Sequence, residues 1–437
     1  MAETLIHDAY VLTMDDALGA IPEGDVLIRE NKIAEVGRRV DAPGAERIDG
    51  RGKVVMPGLI DGHRHMFSGL LRGGSFDVSY TGNQGGYFEV VIRRYGGSYT
   101  PHDSYMASRI GALESVNGGI TTLHAWEHNM ISFEHAFASA RAMHETGLRG
   151  RFSYGPPNDT MVVDQEGVLR LREEMFGSHN GFWHTEDGMW HLGVATRGVE
   201  LDRPEIWQPE AEFARTSGLP LTAHLMRAGH VAELAEHGYL GPDLLACHAL
   251  GVTDEEIQTL RATDTTICAS TPALARSGQR GTPIVRLMRG GVRICLAVDS
   301  TAGCDTADMF AVMRITMIVE RMLYEDSGVY SSHDALRQST IDSARSLGLG
   351  DITGSLTPGK RADVILLDAR TINLAPFTMA EPLITACVYP SNVEAVWVDG
   401  RCLKRDGALV GVDLGEVVDE ANDTFAELQR RAGVPLG

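Results

Sequence analysis

The chain has 437 residues, 43% hydrophobic and 22% charged, a soluble globular composition too long for one small domain. Its formal net charge of −20 argues against a nucleic-acid backbone or an anionic membrane surface as partner. The six cysteines (Cys247, Cys268, Cys295, Cys304, Cys387, Cys402) form no CxxC pair and no disulfide framework, the first residues lack the basic and apolar blocks of a secretory leader, and no apolar run is long enough to span a bilayer, so a reduced, cytoplasmic protein is expected.

Residues 1–55 read as short strands, Thr4–Leu12, Gly24–Arg29, Lys32–Val36 and Ala45–Asp49, with Glu30-Asn31 as a tight turn. The pattern then changes. Apolar strands are expected at Val54–Ile60, Gly119–Ala125, Arg149–Tyr154, Met189–Ala195, Leu219–His224, Leu244–His248, Thr265–Ser270 and Val292–Val298, with amphipathic helices between many of them, such as Thr100–Asn117 and Ser132–Thr146. Strand-then-helix repetition over residues 56–349 predicts an α/β fold, a (β/α)8 TIM-type barrel. Hairpin material returns in 350–412, at Ala362–Leu367, Val393–Val398 and Arg401–Lys404. Neither terminal β segment is large enough to bury a core alone, so the two are expected to pack together as a small composite β-sandwich. Residues 413–437 are expected to carry a C-terminal amphipathic helix.

Chemistry in such barrels sits at the C-terminal ends of the strands. Strand one runs through Met56-Pro57-Gly58-Leu59-Ile60-Asp61-Gly62-His63-Arg64-His65. Residues i and i+2 of a strand share a face, so His63 and His65 can aim at one point. Paired neutral imidazoles suit a transition metal rather than Mg or Ca. Strand five ends in His224, strand six in Cys247-His248 and strand eight in Asp299-Ser300. These groups, far apart in sequence, are placed to converge.

With these residues in view, the chain resembles the amidohydrolase superfamily over nearly its whole length. Pro57-Gly58-Leu59-Ile60-Asp61-Gly62-His63-x-His65 looks like that family's opening signature, and Gly354-Ser355-Leu356-Thr357-Pro358-Gly359-Lys360-Arg361-Ala362-Asp363-Val364 like its return to the terminal sheet. The branch it resembles holds cytosine deaminase, guanine deaminase and the triazine hydrolases. The resemblance implies one divalent metal, zinc first and Fe or Mn as alternatives, held by His63, His65, His224 and Asp299. It implies that His248 joins the metal shell or contacts its water. A metal with an open position lowers the pKa of bound water from about 15.7 toward 7. Asp299 would move that water's proton to the leaving group, and His248 would orient the oxygen or hydrogen-bond the developing oxyanion. The family also implies a small-molecule substrate and a homo-oligomer.

Two positions depart from the branch. Its deaminases carry a glutamate three residues after the strand-five histidine, where this chain has Arg227, a group that cannot shuttle protons at working pH. After strand seven many members read His-Cys-Pro, where this chain reads Ser270-Thr271-Pro272. Arg227, Trp126 and Ser270 are therefore candidate substrate-binding residues, Arg227 as a bidentate carboxylate binder. Glu127 and His128 are candidates to replace the missing acid. The expected reaction is hydrolysis of a C–N bond in a small cyclic amide, amidine or amine. The alternatives are hydrolytic dehalogenation or a lyase or cyclisation step on the same metal, and a catalytically dead barrel serving as a scaffold.

Overall fold

A computed structural model describes residues 3–74, 86–179, 182–304 and 306–434. The terminal β material forms one nine-stranded sheet. Glu3–Leu12, Ala20–Arg29, Lys32–Gly37, Glu46–Asp49 and Lys53–Pro57 come from the first part of the chain; Val364–Asp368, Val393–Val398, Arg401–Arg405 and Ala408–Leu409 come from the last. The two parts meet where Val364–Asp368 runs antiparallel to Lys53–Pro57, with Ile365 opposite Met56. Alternate residues of these strands, among them Val55, Val364, Leu366 and Trp397, bury one apolar face with Val26 and Ile28.

The barrel strands follow in chain order: Leu59–His65, Ile120–Glu127, Arg149–Tyr154, Trp190–Thr196, Leu221–His224, Leu244–Cys247, Thr266–Ala269 and Ile294–Leu296, the last continued by Asp299–Ser300. Strands one, two and three are buried at every residue, as parallel strands covered on both faces must be. Strand eight closes the ring in two pieces. Its first piece pairs with strand seven, Leu296 beside Ala269, and its second with strand one, Asp299 beside Arg64. The Pro57-Gly58 step admits no side chain, since a Cβ on Gly58 would lie 2.0 Å from the Thr121 hydroxyl; glycine is required by the close approach of strand two.

Compactness divides the chain into two units. One takes in Met1–Gly62, Glu114–Thr122 and Asp308–Val412; the other takes in His63–Leu113, Leu123–Ala307 and Asp413–Gly437. The helices between 309 and 346 thus cluster with the terminal sheet. The C-terminal helix, Leu414–Ala432, is capped by Asp413 and belongs to the second unit, where Glu420 accepts from Arg109 at 2.8 Å and Arg431 pairs with buried Asp103. No described helix is long and apolar enough to cross a membrane.

Candidate active site

All the groups that converge belong to the second unit. His63 and His65 are alternate residues at the end of strand one, His224 is the last residue of strand five, and His248 directly follows strand six. His248 and Asp299 turn into the centre from left-handed backbone, φ 73° and 79°. For residues other than glycine this costs about 1–3 kcal/mol each and is tolerated where the surroundings over-determine it.

The nitrogens and carboxylate oxygens face one point. His63 Nε2 lies 3.2 Å from His224 Nε2. Asp299 Oδ1 lies 3.5 Å from His65 Nε2 and 3.8 Å from His63 Nε2, and its Oδ2 lies 3.8 Å from His248 Nε2. Two overlapping ligand sets result, His63/His224/His248 and His63/His65/Asp299. Corners of a tetrahedron about 2.1 Å from an ion stand roughly 3.4 Å apart, so the observed spacings fit a divalent ion.

The protonation states fit as well. Burial, reinforced by the neighbouring imidazoles, pushes His63 and His65 well below the usual histidine range and His248 down to about 3. Neutral imidazole is the form that ligates. His65 Nδ1 lies 3.0 Å from the Trp126 carbonyl, which can only accept, so Nδ1 carries the hydrogen and Nε2 offers its lone pair to the centre. His224 Nδ1 donates to Glu200 Oε2 at 2.5 Å with the same result.

A cavity of about 260 Å³ opens over this point, lined by His65, His224, His248 and Asp299 below and by Tyr87, Phe88, Ile92, Leu201, Met226 and Leu274 on its sides. One wall is polar. Arg197 Nε donates to Glu200 Oε1 at 2.5 Å and Arg197 Nη1 to Asn158 Oδ1 at 3.0 Å. Asn158 Oδ1 also meets His128 Nδ1 at 2.9 Å, and Asn158 Nδ2 donates to Asn129 Oδ1 at 2.8 Å. Burial alone would raise the Glu200 carboxyl, but Arg197 and His224 outweigh it and hold Glu200 well below the usual carboxylate range.

The five residues His63, His65, His224, His248 and Asp299 are thus brought together. The three expected substrate contacts are not. Arg227 is 45% exposed and its guanidinium pairs with Asp202 and Glu233 at the surface, since the loop after strand five turns it outward. Trp126 is fully buried, its ring stacked on His224 at 4.5 Å, so the imidazoles stand between it and the cavity. Ser270 is sealed at the start of the helix Thr271–Arg276, whose later residues line the cavity instead. Glu127 takes the Met66 N–H on Oε1 at 3.1 Å and does not line the cavity; His128 does. Arg197 and Glu200 were not anticipated. Their signal was a charged pair in Thr196-Arg197-Gly198-Val199-Glu200, directly after strand four, where barrel chemistry is sited.

Known proteins agree with this architecture. The amidohydrolase family profile matches residues 54–403. A 5-methylthioadenosine/S-adenosylhomocysteine deaminase of Symbiobacterium thermophilum is 30% identical, covering 98% of this chain and all of the relative. A 5'-deoxyadenosine deaminase of Methanosarcina mazei is 27% identical over 99% of both. Among solved structures, a zinc-bound adenosine deaminase from Xanthomonas campestris superposes with a TM-score of 0.86 at 18% identity, covering 98% of this chain and 99% of its own. A zinc-bound atrazine chlorohydrolase variant from Arthrobacter aurescens superposes with a TM-score of 0.84 at 22% identity, covering 97% of this chain and all of its own. The chain belongs to the amidohydrolase family, whose members bind a divalent metal, and it is a hydrolytic enzyme that acts on C–N bonds of a small-molecule substrate.

Proposed function

We propose that the protein is a zinc-dependent deaminase of a heterocyclic amine, and that its substrates are adenine nucleosides altered at the 5' position, the class named for its curated relatives. The observation that carries the reading is the convergence of four imidazoles and one carboxylate beneath a cavity with apolar sides. His63, His65, His224 and Asp299 would hold the ion, with His248 beside them. When bound, such an ion supplies Lewis acidity and lowers the pKa of water toward 7.

The chain's own groups do the rest. Asp299, 14% exposed to the cavity, takes a proton from the attacking water, passes it to the ring nitrogen, and then carries the hydroxyl proton to the leaving amine. His248, facing the same carboxylate, orients the attacking oxygen. Phe88, Ile92 and Leu274 give a planar ring apolar surface and exclude bulk water. Glu200 holds His224 and Arg197 in place, accepting from His224 Nδ1 on Oε2 and from Arg197 Nε on Oε1.

We take the protein to be a cytoplasmic homo-oligomer. The reduced thiols of Cys247, Cys268 and Cys295 support the compartment. The exposed Ile318, Met322 and Leu323 on the helix Met309–Tyr324 support self-association.

The test is metal analysis of protein purified without chelator, followed by ammonia release from 5'-deoxyadenosine, 5'-methylthioadenosine and small cyclic amides. About one equivalent of zinc, lost in His63→Ala/His65→Ala, with ammonia from the nucleosides, is the expected result. No metal after reconstitution with Zn, Fe or Mn would sink the metal site; metal with a product formed without amine release would retire deamination.

A further inference from the structure

We propose that His128 is a specificity-determining residue that accepts a hydrogen bond, through Nε2, from a ring N–H of the bound molecule. The proposal rests on the cavity above the histidine cluster being the substrate site.

The argument begins with Arg197, which has only donors. The Asn158 atom that Arg197 Nη1 meets at 3.0 Å must therefore be the carboxamide oxygen. The other Asn158 atom, Nδ2, donates to Asn129 Oδ1, which agrees with that assignment. His128 Nδ1 meets the same Asn158 oxygen at 2.9 Å, so Nδ1 carries the hydrogen. In a neutral ring the other nitrogen is then a bare acceptor. Arg197, a permanent cation, already sits on the same Asn158 oxygen and disfavours a second positive charge on this ring.

Nε2 has no partner among the described residues and is not sealed from the cavity, which His128 lines. The ring is fixed in place, packed against His65 at 4.6 Å and Phe67 at 4.4 Å between centroids. A fixed acceptor on a buried wall discriminates strongly, because a bare ring nitrogen set against it leaves two lone pairs facing and neither satisfied.

Adenine offers a bare nitrogen beside its amino-bearing carbon. When water adds across that C=N bond, the oxygen bonds to carbon and the proton ends on nitrogen. Loss of ammonia, with the hydroxyl proton leaving on the amine, then gives a lactam that keeps the N–H. His128 therefore matches the adduct and the lactam better than the starting ring, which is the preference that accelerates a reaction. Arg227, at the position where deaminases of this branch carry an acid, is turned to the surface. His128, directly after strand two, contributes the ring-nitrogen contact instead.

The experiment measures binding of 5'-deoxyinosine and its N1-methyl derivative to the zinc-loaded enzyme by calorimetry, in wild type, His128→Phe and His128→Gln. Metal content and melting temperature establish that each variant is folded and loaded. The expected result is at least tenfold tighter binding of the N–H probe by wild type, loss of that preference in H128F, and partial recovery in H128Q, whose carboxamide oxygen can accept. A preference that survives in H128F is steric and overturns the proposal, as does equal binding, or no binding, of the two probes by wild type. If the preference behaves as expected while no amine releases ammonia, His128 keeps its role and the deaminase reading falls.

Discussion

The rim of the barrel has two arcs that are built on different principles. Strands one, five, six and eight end in groups that point at one centre: His63, His65, His224, His248 and Asp299, spaced 3.2–3.8 Å apart where their atoms face. Strands two, three and four lead into groups that hold one another: His128, Asn158, Arg197 and Glu200. The first arc is crowded with lone pairs that only a cation can reconcile. The second is internally satisfied and keeps one acceptor open. A hydrogen bond from His224 to Glu200 joins them, so each arc can be disturbed with a measurable consequence for the other.

The largest effect is expected from the first arc. Asp299→Asn keeps the volume but loses the proton-accepting oxygen and one anionic ligand. Turnover should fall by roughly 10³-fold or more, with bound metal reduced rather than abolished, because three imidazoles remain. Elemental analysis beside steady-state kinetics checks both parts. Activity within tenfold of wild type would place the proton transfer elsewhere.

Next comes the link between the arcs. Glu200→Gln replaces an acceptor-only carboxylate with a group that can donate or accept, so it no longer fixes the His224 tautomer or adds basicity to that ring. Partners of this kind typically set metal affinity by 10–100-fold. Competition with a chromogenic chelator should show a loss in that range while the fold is kept. An unchanged affinity would mean that Trp126, stacked on His224 at 4.5 Å, orients the ring by itself.

The same contrast explains what could be read in advance. The first arc was legible because it obeys periodicity: an alternate-residue pair at one strand end, and single polar groups closing apolar runs. The barrel was legible for the same reason, from strand and helix patterns taking turns. His124 and Trp126 are alternate residues of strand two, and His124 Nε2 meets Ser153 on the neighbouring strand at 2.8 Å. Depth, however, is not encoded in alternation, and the rings of His65 and His224 lie in front of Trp126. The second arc depends on loop geometry, where no period says which way a side chain turns. Arg197 and Glu200 look, in one dimension, like ordinary loop charges ahead of the helix Pro204–Thr216.

A smaller effect tests a buried carboxyl that faces neither arc. Burial raises Glu127 to about 8, against opposing hydrogen bonds from Met66 and Ser139, and raises Glu210 to about 7. Between about pH 4.5, where an unfolded glutamate titrates, and the raised native values, the folded chain holds more protons than the unfolded one. Stability contributed by these groups is therefore present at low pH and lost as pH rises through that window, on the order of 1–3 kcal/mol. Denaturant midpoints from pH 5 to 8 should decline. Glu127→Gln, which stays neutral, should flatten part of the decline; an identical slope in the variant would mean that Glu127 is solvated and ionised.

The smallest effect belongs to the residue that most distinguishes this sequence from the deaminases it resembles. If Arg227 bound substrate, Arg227→Ala would raise KM by one or two orders of magnitude, as loss of a bidentate carboxylate contact does. In the structure its guanidinium is occupied by Asp202 and Glu233 at the surface. Such exposed pairs contribute about 0–1 kcal/mol, and nothing in them reaches the cavity. R227A should therefore leave kcat and KM within about twofold and shift stability by less than about 1 kcal/mol. A large KM effect confined to substrates with a carboxylate would mean that the loop after strand five swings inward when such a molecule binds, moving Arg227 from its surface pairs into the arc that Glu200 now occupies.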